Sequence, residues 1–155
     1  GGVVLVVVGA EHQGYALSPL AEVLPLEFFG GDNTYRADPF QAEIAQAASL
    51  HPILRISDNP LSDRLEWVEL PPLLAYAPTR GARPGSVVLV QHPVEWTGSR
   101  KMPLVGVTRA GAGKTMAVAF RTFWRFGLMM WGVGKTERLL HCRDVAAANG
   151  QPLLG

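Results

Sequence analysis

The sequence predicts a layered α/β fold, and three observations predict it. Val3-Val4-Leu5-Val6-Val7-Val8 is a run of six apolar residues, five of them β-branched valines, with no polar alternation. Such a run is too short to cross a bilayer and fits a strand covered on both faces. Directly after it, Gly9-Ala10-Glu11-His12-Gln13-Gly14 is a sharp glycine-flanked turn. A turn in that place lies at the carboxyl edge of the sheet, where open α/β folds usually bind ligands. Farther on, the apolar runs Met102 to Thr108 and Lys114 to Phe120 flank Arg109-Ala110-Gly111-Ala112-Gly113, the pattern of a β-hairpin with a Gly-rich loop.

The remaining elements follow in chain order. Ser18 to Leu24 reads as a short helix with Ser18 as N-cap and Pro19 at the first helical position, stopped by Pro25. Leu26 to Phe29 suits a short strand, and Gly30-Gly31-Asp32-Asn33 punctuates a turn. Pro39 to Ala48 is open: its Ala and Gln content favours a helix, its position between loops a strand. His51 to Ile56 is extended and leads into the turn Ser57-Asp58-Asn59-Pro60. Leu61 to Leu70 is expected to be a helix that carries Leu65 and Trp67 toward the core and ends at Pro71-Pro72. Arg83-Pro84-Gly85 is a turn, Ser86 to Gln91 a second buried strand, and His92-Pro93-Val94-Glu95 its exit into a loop. A helix from about Glu137 to Ala148, stopped by Asn149-Gly150, closes the pattern.

Composition narrows the function classes. A chain of 155 residues is one ordinary domain, and 48% hydrophobic with 17% charged residues describes a globular chain. Net charge is +1 without any Lys/Arg block, so no electrostatic footprint for nucleic acid is present. Cys142 is the single cysteine, which excludes an internal disulfide and a Cys-based metal cluster; no His/Asp/Glu group has metal-ligand spacing, and no cofactor is expected. No stretch approaches a membrane span, and there is no basic n-region before the first apolar run. Because Gly1 leads almost at once into the strand, the chain is expected to be a partial domain, 1–155, cut from a longer protein.

Several motifs invite chemistry and are better explained without it. Gly111-Ala112-Gly113-Lys114-Thr115 and Gly132-Val133-Gly134-Lys135-Thr136 lack the earlier glycine of a phosphate-binding loop, holding Thr108 and Met129 there. The first is a hairpin turn; the second precedes a helix and keeps the option of an anion at its N-terminus. His92 and Glu95 stand close together, but a His acts as a base only beside a nucleophile, and none is identifiable. Phe120-Arg121-Thr122-Phe123-Trp124-Arg125-Phe126 interleaves aromatics with arginines, which fits a strand end capped by a buried Trp124. Glu11 and His12 alone define no reaction, and their plain reading is of polar residues in a solvated loop.

Read together, Val7 to His12, Tyr15 to Leu26, His51 to Arg55, Leu70 to Leu73, Lys101 to Leu104, Ala112 to Lys114 and Thr122 to Phe126 resemble the glutamine-amidotransferase-like domain of large bacterial membrane proteins that often also carry a von Willebrand factor A domain. The resemblance implies a three-layer flavodoxin-like sheet of the class I amidotransferase type, with its first βα units upstream of Gly1 and a hairpin and helix at the C-terminal end. Class I amidotransferases place a Cys after the central strand and a His-x-Glu pair on a later strand. Those positions fall here near Glu11 and near Arg121 and Thr122, so neither is kept. The loop between His12 and Tyr15 is also shorter than in these relatives. What the resemblance implies is a non-catalytic binding or scaffolding domain with candidate ligand residues Glu11, His12, Gln13 and Thr122, whose partners are other domains of the same polypeptide or a protein complex. The rival expectation is a hydrolase or amidotransferase with an atypical site around Glu11, His12 and His92.

Overall fold

A computed structural model describes residues 2–31, 35–55 and 59–122, without the side chains of Pro60, Leu61, Asp63 and Arg64. Its main sheet has five strands in the order β1-β7-β6-β5-β3. They are β1 (Val3–Val7), β3 (Glu43–Ile44), β5 (Val87–Thr97), β6 (Arg100–Ala110) and β7 (Gly113–Val118). The expected hairpin is β6 and β7, in register from Val105 opposite Val118 to Ala110 opposite Gly113. Gly111 makes its turn at φ 58°, a conformation that costs glycine nothing for want of a Cβ. A second hairpin joins β5 to β6 through Gly98, at φ 62°. The fold is thus mixed α/β, built mostly of strands, with two short α-helices, α1 (Gln13–Ala16) and α2 (Pro60–Glu69), among the described residues.

The run of valines is a strand, β1, and it pairs in parallel with β7 from Val3 opposite Lys114 to Val7 opposite Val118. It is covered less than its composition predicts. Val6 and Val8 are buried, but Val3, Val4 and Leu5 are 74%, 48% and 55% exposed. The reason is topological: β1 ends the row of strands and has a neighbour on one side only among the described residues. The centre of the sheet is β6, where Met102 to Gly106 are all buried and both faces are therefore covered.

One face of β6 is covered by a two-stranded antiparallel ribbon of β2 (Leu26–Phe28) and β4 (Thr79–Ala82). Leu26 and Phe28 turn into the core and Glu27 turns out, the period-two alternation of a half-buried strand. Gly106 lets the ribbon approach: a Cβ there would lie 3.0 Å from Leu26 Cδ2 and 3.2 Å from Pro25 Cβ. Polar seams fix the contact, since Thr79 Oγ1 donates to the Pro103 carbonyl at 2.7 Å and the Thr97 hydroxyl to the Thr79 carbonyl at 3.1 Å. Thr115 donates to the Val23 carbonyl, holding the end of the Pro19–Glu22 turn against β7.

Several local expectations are corrected. Pro19–Glu22 is a single 3-10 turn, and Ser18 does not cap it; its hydroxyl donates backward to the Tyr15 carbonyl at 3.0 Å. The open stretch from Pro39 resolves into the short strand β3 and a 3-10 turn at Gln46–Ala48. His51 caps another 3-10 turn at Pro52–Leu54, its Nδ1 accepting from the Ile53 amide, where an extended chain was expected. In α2, Trp67 packs against the core with Nε1 donating to the Leu54 carbonyl at 2.8 Å, whereas Leu65 is 68% exposed. The helix expected at 137–148, with Cys142 on it, and Trp124 lie outside the described residues.

Candidate functional site

The turn after β1 is where the sequence places it. Beyond Val7 the chain bends through Ala10, Glu11 and His12 into the single helical turn α1. Glu11 is exposed and Gln13 half-buried, but His12 is completely buried, so the picture of a solvated loop holds for Glu11 alone. His12 occupies the N-cap position in helical geometry without capping through its side chain; its Nδ1 lies 3.3 Å from the Ala10 carbonyl. An inward imidazole at this place ties the turn to itself and leaves Glu11 as the group it presents to solvent.

Parallel pairing brings the second candidate stretch to the same edge. The Val8 amide donates to the Val118 carbonyl at 2.8 Å, so the two chains leave the sheet side by side. A Cβ on Gly9 would lie 3.5 Å from Arg121 Cδ and 3.9 Å from its Nη1. The arginine stem therefore lies along the glycine. Next to it Thr122 is half-buried, and its Oγ1 is shut off from water with no hydrogen-bond partner among the described residues. Arg121 and Thr122 thus leave the sheet beside the Gly9 turn that leads on to Glu11 and Gln13. Arg121 is not among the candidate ligand residues expected from the sequence, although the resemblance puts the His-x-Glu position near it.

His92 belongs to a different place. It sits on β5, three strands from β1 in the sheet order, which at about 4.8 Å per strand is roughly 14 Å away. The chain does not leave the sheet there as expected; β5 runs on to Thr97. Gln91 pairs with Pro103 and Trp96 with Lys101, so four residues, His92 to Glu95, bulge opposite Met102 alone. Prolines at 93 and 103 cannot donate to a ladder, which is why the pairing breaks here. His92 repairs the break itself, Nδ1 accepting from the Val94 amide at 3.2 Å and the Glu95 amide at 2.9 Å.

The His92 ring lies 4.4 Å from that of Phe40 and 4.9 Å from that of Tyr76, between centroids. Burial pushes its imidazole below the ordinary 6.5, against the opposing pull of Glu95 and Asp38 and with a smaller push from Arg36. Burial likewise raises the Tyr76 phenol. Glu95 is engaged by Arg36, Nη1 to Oε1 at 2.7 Å. With Nδ1 accepting two amides, the neutral ring carries its proton on Nε2, and the nitrogen facing the bulge is not free to act as a base. His12 and His92 are not brought together.

Other motifs resolve plainly. Gly111 to Thr115 is the β6–β7 hairpin, with Lys114 and Thr115 on a strand and no helix terminus behind them; Gly132 to Thr136 lies outside the described residues. Among the described residues no three His, Cys, Asp or Glu side chains could hold a metal ion. No helix of the described residues is long and apolar enough to cross a membrane.

No protein family and no curated protein sequence matches the chain. Solved structures do. The cytoplasmic protein STM1381 from Salmonella typhimurium LT2 is similar over 95% of this chain, at a TM-score of 0.58 and 20% identity. The cytoplasmic protein STM3548 from Salmonella typhimurium is similar over 91%, at a TM-score of 0.57 and 20% identity. The likeness is one of fold, and this chain spans 55% and 54% of the lengths of those two chains.

Proposed function

We propose that this chain is a non-catalytic amidotransferase-like module that binds or scaffolds within a larger, membrane-anchored bacterial polypeptide. The observation that carries the reading is the edge shared by β1 and β7. There a strand, a sharp turn and a helical turn follow one another, and the exposed group is Glu11, where the resemblance would call for a thiol. By the resemblance, Arg121 and Thr122 would stand where the His-x-Glu pair is carried. A carboxylate and an arginine can supply charge and hydrogen bonds to a ligand; they supply neither a thiolate nor the imidazole that would activate one.

A flavodoxin-like three-layer sheet belongs to the same proposal. The outer edge of β1 and its exposed Val3, Val4 and Leu5 would then be covered by βα units upstream of Gly1. The rival hydrolase or amidotransferase needs Glu11, His12 and His92 to act together. His12 is turned inward and His92 is held by its own bulge, which favours the binding module.

Ammonia release from glutamine by the intact polypeptide tests the reading. The expected rate equals that of buffer, for the wild type and for Glu11→Ala alike. Release that Glu11→Ala or His12→Ala abolishes would replace the module with an enzyme.

A further inference from the structure

A cleft opens between α1 and the outer face of the β2–β4 ribbon. Its volume is about 260 Å³, and Tyr15, Ala16, Glu27, Phe28, Arg80 and Arg83 are among the residues lining it. The sequence builds it by alternation. Thr79 turns inward and is buried, so its neighbour Arg80 turns outward, as Glu27 does between Leu26 and Phe28. Gly81 stands opposite Glu27 in the ladder and contributes no side chain, which leaves the outer face open between the two arginines.

Both arginines are positioned, and neither has an ion-pair partner among the described residues. The Arg80 guanidinium centre is 5.1 Å from the centroid of the Phe29 ring, a cation–π contact that holds it to the rim. Arg83 is fixed through its backbone, its amide donating to the Pro25 carbonyl at 2.9 Å and its carbonyl accepting from the Ser86 amide at 3.1 Å. Neither side chain makes a salt bridge among the described residues, in contrast to Arg36 with Glu95 and Lys101 with Glu43. Among the described residues Arg83 Nε and, in the same turn, Ser86 Oγ are shut off from water without a hydrogen-bond partner. A charged oxygen acceptor is the partner with which a guanidinium pairs most strongly. Two guanidinium groups against the one carboxylate of Glu27 leave the cleft net positive.

We propose that this cleft binds a small oxyanion, a phosphate or carboxylate group, held by Arg80 and Arg83. Arginine suits either group because its planar fork can pair with two oxygens at once. The inference does not depend on the amidotransferase-like reading, since it uses no residue of the β1–β7 edge.

Titration calorimetry of the intact polypeptide at low ionic strength tests it, with inorganic phosphate and with succinate as separate probes. At least one probe binds saturably, at least tenfold more weakly in Arg80→Gln and in Arg83→Gln, and unchanged in Arg109→Gln, an exposed arginine outside the cleft. Which probe binds fixes the class, phosphate or carboxylate. Arg80 is exposed, so Arg80→Gln decides the matter if Arg83→Gln fails to fold. Absence of saturable binding by both probes, or binding that Arg80→Gln leaves unchanged, overturns the proposal.

Discussion

Replacing His92 by Phe isolates what its imidazole does for the fold. The ring contacts with Phe40 and Tyr76 can be kept by a phenyl group, so the loss is confined to the acceptor that serves the Val94 and Glu95 amides. A buried donor left without a partner costs about 1–3 kcal/mol. Both hydrogen bonds here are only partly buried, so the low end applies and the pair is worth about 2 kcal/mol. For a domain of this size that lowers the melting temperature by about 4–8 °C. His92→Asn, whose carbonyl can reach the same amides, should recover part of the loss. Thermal unfolding followed by circular dichroism reads both, and a His92→Phe protein as stable as the wild type would refute the bulge-repair argument.

The same site predicts a pH dependence. In the folded chain the imidazole sits below 6.5, so at and above neutral pH it is uncharged in both states and stability is complete. Below about 6.5 the unfolded chain takes up the proton first and stability falls until the folded pKa is reached. His92→Phe should remove that step. The Glu43 carboxylate, held low by Lys101 and Gln91, acts in a separate window: its contribution is lost only as pH falls below 4.5.

Gly106→Ala would place a methyl group 3.0 Å from Leu26 Cδ2 and 3.2 Å from Pro25 Cβ; overpacking of this kind costs about 1–3 kcal/mol, and a denaturation midpoint equal to that of the wild type would show that the ribbon yields. Lys114 lies on a strand with no helix terminus to face a phosphate, so Lys114→Ala should leave the thermal shift with magnesium ATP at its baseline. A saturable shift lost in that variant would return the hairpin to the nucleotide-binding class.

Local signals carried the parts of the fold that local chemistry decides. The valine run, the glycine-flanked turn after it and the Gly111 hairpin were legible because period, turn residues and strand length all agree there. Cover over β1 was not legible, because exposure of Val3 depends on which strands lie beside it and not on Val3. His92-Pro93 looked like a strand exit because proline ends ladders; the bulge depends on Pro103 across the hairpin and on a ring nitrogen replacing a carbonyl. Leu65 was assigned to the core from composition alone, yet the face of α2 that packs is the one carrying Trp67. At the candidate site, the approach of Arg121 to Gly9 follows from the parallel pairing of β1 with β7, which no local pattern announces. The inward rotation of His12 followed from no pattern in the chain.

The proposed amidotransferase-like fold would make β1 an interior strand of a larger sheet, and amide exchange on that strand tests the proposal most directly. Val8 donates to Val118 in β7, so by alternation the amides of Val4 and Val6 face β7 and those of Val3, Leu5 and Val7 face the outer edge. In the 155-residue chain the outer three should exchange at rates close to those of an unprotected amide. In a polypeptide extended upstream of Gly1 they should become as slow as Val4 and Val6. Equally fast exchange of Val3, Leu5 and Val7 in both proteins would contradict the account.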